Sequence, residues 1–252
     1  MSTAFKVVRF LAGDPSTAEV LRRGWAGALG DADATGADRG GGPLAGRPVR
    51  VTLAVPVVLA ELPPPRFAAV DVQWFTDLDE ARANDAWLAA VAPELGLDSP
   101  GLAAGSCRVL AEEVVLRGQD HLAARWRAGG DRLKMMSFGR RHPSLSPEEF
   151  SARWRNEAGR LGGEAIPDDV RGSAYVQNHP VRLDDGRGWA LDAVNEVYVE
   201  RMEDLRRRAA WMAARTGAPG RADAVPFMSP TATWSMGVLE ALVTTPTGAP
   251  GV

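Results

Sequence analysis

The chain has 252 residues, 45% of them apolar and 24% charged, with a formal net charge of −3. That composition belongs to ordinary globular proteins of one large domain or two small ones. The near-neutral charge argues against general attraction to nucleic acid or anionic membranes, and no apolar run approaches the roughly 20 residues of a membrane helix. The lone cysteine, Cys107, has no internal disulfide partner, which suits a reducing cytoplasm. The N-terminal MSTAFKVVRF lacks the basic-then-apolar order of a signal peptide, so a cytoplasmic location is expected. Basic charge is almost all arginine. Lys6 and Lys134 are the only lysines, which reads as a habit of GC-rich coding rather than a functional signal.

Residues 5–11 are β-branched and aromatic and predict a strand. Ser16 and Glu19 have capping-box spacing, so a helix is expected there, with Leu21, Trp25 and Ala28 on one face. A glycine-rich loop follows from Gly30 to Arg47, and Gly40-Gly41-Gly42 reads as flexible. Residues 49–58 predict a strand that Pro56 marks as an edge or a bulge. Pro63-Pro64-Pro65 is a stiff connection before a strand at 68–75, a helix at 77–92 and a strand at 107–116. Residues 118–131 read as a linker with room for one short helix, and 132–138 as a strand. Ser146 is the expected N-cap, Pro147 sits at the first helical position, and Glu149 completes a capping box. Phe150, Trp154, Ala158 and Leu161 then form an apolar stripe. Strands at 173–181, 193–200 and 233–243 and a helix at 202–214 complete the chain.

The elements repeat. Residues 69–90 align without gaps to 193–214 at an offset of 124, with seven of 22 positions identical, Trp87 with Trp211 among them. Phe5 to Phe10 resembles Leu133 to Phe138, and Ser16 to Glu19 resembles Ser146 to Glu149. Each half reads β-α-β-β-α-β, the ferredoxin-like order. The expected fold is α+β: two fused ferredoxin-like β-α-β-β-α-β units packed sheet to sheet as an intramolecular dimeric α/β barrel. Residues 1–117 form the diverged first unit, 118–131 the linker and 132–252 the second unit. The gap between sheet and helices of a unit can hold a small molecule.

The second half carries a resemblance. Arg141, Pro143, Leu145, Ser146, Glu148, Glu149, Phe150, Trp154 and Arg155 are followed by Tyr175-Val176-Gln177-Asn178-His179, then by Glu196 and Tyr198. This pattern resembles an EthD-type domain of the dimeric α/β-barrel superfamily, which includes antibiotic-biosynthesis monooxygenases. In tandem form the chain is similar to the oxygenases that open the B ring of angucyclines in jadomycin-, kinamycin- and gilvocarcin-type pathways. The resemblance implies an oxygenase that tailors a phenolic polycyclic aromatic polyketide by ring opening or hydroxylation. It implies dioxygen as co-substrate, and a diffusible reduced flavin (FADH2 or FMNH2) from a separate flavin reductase. One departure is that Ala158 stands where the family usually has a histidine. A cofactor-free cyclase or dehydratase, or a non-catalytic ligand-binding module, remains the alternative, and a further homodimer is left open.

On a strand, Tyr175, Gln177 and His179 share one face. A histidine near its ordinary pKa of about 6.5 could deprotonate a phenol, with Tyr175 as its catalytic companion and Gln177 orienting substrate oxygens. Trp154, Trp211 and Trp234 offer flat apolar surface for a polycyclic ligand, although helix-face tryptophans commonly just pack. Arg155 and Asn156 could bind oxygens near the helix end, Glu196 and Tyr198 form a second candidate wall, and His142 precedes the helix in a loop. Arg206-Arg207-Arg208 reads as a solvated helix face. No nucleotide-binding glycine motif, nucleophile elbow or metal-ligand spacing appears, so no metal is expected.

Overall fold

The computed structural model describes residues 4–14, 16–34, 46–95, 105–156, 160–161, 164–182, 189–215 and 227–244. In chain order the first part holds β1 (Ala4–Leu11), α1 (Thr17–Ala34), β2 (Arg50–Val57), β3 (Ala69–Phe75), α2 (Leu78–Leu95) and β4 (Cys107–Arg117). Helix α3 (Gln119–Ala128) leads to β5 (Arg132–Arg141), α4 (Pro147–Asn156) and the short β6 (Arg160–Leu161) and β7 (Glu164–Ala165). The last part holds α5 (Asp168–Arg171), β8 (Ala174–Pro180), β9 (Ala193–Val199), α6 (Met202–Ala213) and β10 (Met228–Thr244). Among these described residues no helix is long and apolar enough to cross a membrane.

The fold is α+β. Eight strands close into one antiparallel barrel in the order β1-β3-β2-β10-β5-β9-β8-β4. The first four strands lie together in the ring as β4-β1-β3-β2, and the later four as β10-β5-β9-β8. The two quartets do not stack as separate sheets, as sheet-to-sheet packing would require. They join edge to edge through β2–β10 and β4–β8 ladders, so all eight strands share one interior. Closure removes the exposed strand edges that an open sheet would leave. Pro56, expected at an edge or bulge, pairs only toward β10, because the β2–β3 ladder ends at Ala54.

Strand alternation sorts the side chains. Val8, Phe10, Val70, Val72, Val109, Met136, Phe138, Val194, Met236 and Val238 point inward into one buried cluster. Outward residues meet helices. Leu11, Val51, Leu53 and Ala69 pack under α1 and α2, where Trp25 and Trp87 stack at 5.6 Å. Met135 and Val199 lie under Leu205 and Ala209 of α6, and Ala193 under Phe150 and Trp154 of α4. Asn84 of α2 and Arg208 of α6 lie 124 positions apart, matching the sequence repeat. Asn84 Nδ2 donates to the Gly46 carbonyl at 3.0 Å and Arg208 Nη1 to the Val170 carbonyl at 2.6 Å. Each helix thus uses a buried polar side chain to hold the segment that leads into its neighbouring strand. Arg208 is therefore not part of a solvated face.

The capping box before α4 forms as expected: Ser146 N donates to Glu149 Oε2 at 2.8 Å and Glu149 N to Ser146 Oγ at 3.2 Å. The one before α1 does not. Ser16 bonds to Asp14, and Glu19 pairs with Arg22. Helix α4 ends at Asn156, short of the expected stripe. Leu161 is in β6, while Ala158 and Gly40-Gly41-Gly42 lie outside the described residues.

One end of the barrel interior is aromatic: Phe10, Phe67 and Phe138 pack at 4.5–5.7 Å. The other end is ionic. Both lysines of the chain point into it, and each is fully buried. Lys6 Nζ donates to Glu196 Oε1 at 2.7 Å and Lys134 Nζ to Glu196 Oε2 at 2.6 Å. Asn178 Nδ2 and the Tyr198 hydroxyl complete the four donors on that carboxylate, at 2.8 and 2.9 Å. Lys6 also pairs with Glu113 at 2.6 Å. Lys134 also pairs with Glu240 at 2.6 Å, and Glu240 accepts from Thr52 and Arg132 as well. Burial alone would raise the Glu196 carboxyl, but Lys134 and Lys6 override it and hold it far below its ordinary 4.5.

Removing one member of a buried ion network leaves uncompensated charge, which costs about 3–5 kcal/mol. Glu196→Ala should lose that much in equilibrium denaturation, and a loss below about 1 kcal/mol would contradict the network's role. Because the folded Glu196 titrates below its unfolded value, its contribution is complete above pH 4.5 and declines as pH falls further. The Glu196 part of the denaturation profile, read as the difference between wild type and Glu196→Ala, should therefore be flat above about pH 5 and fall below it.

Candidate functional site

The outward face of β8 carries a polar row of three side chains. Tyr175, Gln177 and His179 lie on it by strand alternation, beneath α4. Helix α4 is positioned by its capping box and by Phe150 and Trp154 against Ala193. That docking lays the Trp154 ring 4.4 Å from the His179 ring, tilted by 40°.

The hydrogen bonds run in one direction. The Tyr175 hydroxyl donates to Asn195 Oδ1 at 2.9 Å, so it accepts from Gln177 Nε2 at 3.1 Å. The same amide nitrogen donates to the Trp154 carbonyl at 2.9 Å. Gln177 Oε1 is thereby an acceptor, and it takes the proton of His179 Nε2 at 2.8 Å. Nδ1 of the neutral ring is then the basic nitrogen, and Ser151 Oγ donates to it at 3.2 Å. The amide orientation thus selects the histidine tautomer.

Burial lowers the His179 pKa, and the nearby Arg155 guanidinium lowers it further, to about 4. The sequence suggested a value near 6.5. The difference arises because the ring is 4% exposed and the Arg155 guanidinium lies nearby, while Glu112 across the β4–β8 ladder is engaged by Arg155. Burial also raises Tyr175, which keeps its hydroxyl protonated as a donor. The row is an uncharged relay at neutral pH.

Strand register shows what the first half has instead. Val51 faces Gln73 and Leu53 faces Asp71 across β2–β3, as Tyr175 faces Val197 and Gln177 faces Asn195 across β8–β9. With the offset of 124, Val51, Leu53 and Val55 take the places of Tyr175, Gln177 and His179. Val51 and Leu53 are fully packed there, and the polar groups of that face are Asp71 and Gln73 of β3, where Gln73 Nε2 donates to Asp71 Oδ2 at 3.1 Å.

The structure separates the remaining candidates. Trp154 belongs to the row. Arg155 is exposed and pairs with Glu112 at 3.0 Å, and Asn156 is exposed at the end of α4. Glu196 and Tyr198 face the barrel interior and are sealed in the ionic cluster, so they form no wall with His179. Trp234 sits at the aromatic end, 6.1 Å from Phe138 and under Arg66. Trp211 is half-buried on α6 beneath Arg215 at 4.2 Å. His142 bonds Ser144 Oγ at 2.7 Å in the loop before α4. Sequence reasoning missed Ser151 and Asn195. Ser151 lies one turn after the Ser146 cap, and Asn195 faces Gln177 across β8–β9, a cross-strand partnership that only register reveals.

Among the described residues no group of three His, Cys, Asp or Glu side chains is placed to hold a metal ion. An open cavity of about 260 Å³ beside α5 and α6 is lined by Asp168, Asp169, Glu200 and Asp204 with Arg207.

No family model matches the sequence, and no curated protein does. The fold has solved counterparts. An anthrone oxidase-like protein superposes over 99% of this chain and 97% of its own, with a TM-score of 0.53 and 12% identity. A Lactobacillus acidophilus NCFM protein provisionally assigned as a monooxygenase covers 97% of each chain at a TM-score of 0.45 and 10% identity. The first shows that this chain shares the barrel architecture of an anthrone oxidase-like protein; the second is too distant to weigh.

Two measurements test the relay. In a nitrogen-15 NMR titration, His179 should remain neutral, protonated at Nε2, down to about pH 5, with its midpoint near 4. A midpoint above 6 would refute the desolvated ring. Because the folded pKa is depressed, the ring's contribution to stability is complete above 6.5 and declines toward pH 4. His179→Asn should therefore flatten that part of the stability profile.

Proposed function

We propose that this protein is an oxygenase that tailors a phenolic polycyclic aromatic polyketide, with dioxygen as co-substrate. The observation that carries the reading is the neutral His179, whose acceptor nitrogen faces a hydroxyl in a nearly dry gap beside the flat Trp154 ring. The barrel shared with an anthrone oxidase-like protein supports it. So does the EthD-like pattern of the second half. We also read the chain as two ferredoxin-like units fused by duplication, which the matching strand orders of the two quartets support.

In this reading the substrate phenol takes the place of the Ser151 hydroxyl and donates to His179 Nδ1. The relay through Gln177, Tyr175 and Asn195 holds the ring in that tautomer. With a folded pKa of about 4, His179 takes the proton only as the phenol gives an electron to dioxygen, so the two transfers are coupled. For a ring methylene the balance closes without a further reductant: one oxygen atom enters the ring as a carbonyl, and the other leaves with both hydrogens as water. The sequence resemblance further implies ring opening or hydroxylation with a reduced flavin from a partner reductase.

Oxygen uptake tests this directly. The protein should consume dioxygen with an anthrone-type phenol in the absence of added metal. His179→Ala and Tyr175→Phe should lower turnover, the former by about 10²-fold or more. Product formed equally well under strict anaerobiosis would select a cyclase or dehydratase instead. Tight binding with no turnover would select a binding module.

A further inference from the structure

The ionic end of the barrel contains more positive than negative charge. Lys6, Lys134, Arg132 and Arg50 face Glu113, Glu196 and Glu240 there. Each carboxylate is already engaged: Glu113 by Lys6, Glu196 by both lysines, and Glu240 by Lys134 and Arg132. One positive charge is left uncompensated.

Its location is visible in the hydrogen bonds. Arg132 is 2% exposed, and only its Nε reaches a partner, Glu240 Oε2, at 3.3 Å. Nη1 and Nη2 are buried and have no hydrogen-bond partner. A native chain seldom buries two guanidinium nitrogens without an acceptor. The faces of the cations are covered, not their edges. Trp126 of α3 lies between the two arginines, 3.6 Å from Arg132 and 4.2 Å from Arg50, and meets Trp74 edge-on at 5.4 Å.

We propose that this end of the barrel is a binding site for a small carboxylate, held in the plane of Arg132 by Nη1 and Nη2 and flanked by Arg50. The free pair of nitrogens matches the two oxygens of a carboxylate in a fork. The single uncompensated charge matches a monoanion better than a phosphate dianion. The Trp126 and Trp74 rings offer apolar surface to the organic part of the ligand. Entry requires the last turn of α3, which carries Trp126, to shift. That turn is followed by Gly129 and Gly130, both left-handed (φ 69° and 77°), where an added Cβ would meet nothing within 4 Å. The other end of α3 is pinned, because a Cβ on Gly118 would clash with the Ser173 carbonyl and Ala174. The C-terminal end of α3 is thus the less tightly packed of its two ends. This site lies inside the barrel, opposite in facing to the His179 row, and does not depend on the proposed oxygenase activity.

The test titrates the full chain with acetate and with benzoate at constant ionic strength, following tryptophan fluorescence and thermal unfolding. Saturable quenching and a rise in Tm are expected with both, and benzoate should bind more tightly. Arg50→Gln, at a half-buried position outside the hydrogen-bonded network, should weaken binding by about tenfold while the chain stays folded. Arg132→Met should abolish it; if that variant does not fold, Arg50→Gln and Trp126→Phe carry the test. Trp126→Phe should retain binding but lose most of the fluorescence response. An absent saturable response overturns the proposal. So does equal binding of chloride or inorganic phosphate, and so does wild-type affinity in Arg50→Gln.

Discussion

The Glu196 carboxylate lies between the chain's two lysines, and the barrel closes around that contact. Lys6 comes from the first strand, Lys134 from the fifth and Glu196 from the ninth. A buried charge without a partner costs several kcal/mol, so none of the three strands can pair out of register without exposing that penalty. A slip of one residue would turn each of these side chains from the interior to the outside. The ionic cluster is thus a registration device for the whole ring as well as a source of stability. Its construction is nearly symmetric. Lys6 with Glu113 and Lys134 with Glu240 occupy corresponding places in the two quartets, and Glu196, whose counterpart is Val72, joins them.

That use of the interior decides where chemistry can happen. Phe10, Phe67 and Phe138 fill one end, and charged groups with their donors fill the other. The His179 row lies on an outer face, between strand and helix. The two outer faces are not alike. Under α1 and α2 the surface is mostly apolar around the Trp25–Trp87 stack, with Asp71 and Gln73 buried beside it and no histidine. Under α4 a row of amide, phenol and imidazole groups holds one histidine tautomer in a dry setting. The first quartet completes the barrel, and the second carries the polar relay.

Much of this was legible from residue patterns, for local reasons. The strands were visible as β-branched and aromatic runs, and the Ser146–Glu149 box set the start of α4 because both partners lie within one turn. The row on β8 followed from the period of two alone. Other features failed to show for equally definite reasons. Ser16 and Glu19 have the spacing of a capping box, but nearby Asp14, Arg22 and Arg23 compete for both side chains. Arg208 looked solvated because its neighbours are arginines, yet the helical period turns it alone of the three toward Val170. Glu196 and Tyr198 looked like a pocket wall because alternation gives two faces without saying which one is closed.

By itself the sequence determined the order of the eight barrel strands and the longer helices, the internal repeat and the placing of Tyr175, Gln177 and His179 on one strand face. These depend on interactions within a few residues or on direct comparison of segments. Only the tertiary structure decided that the two quartets join edge to edge, which face of each strand is interior, and that both lysines meet on one carboxylate. It also decided the protonation of His179. A pKa depends on which groups surround the ring and how much water reaches it, and those neighbours come from α4, which lies more than twenty residues earlier in the chain.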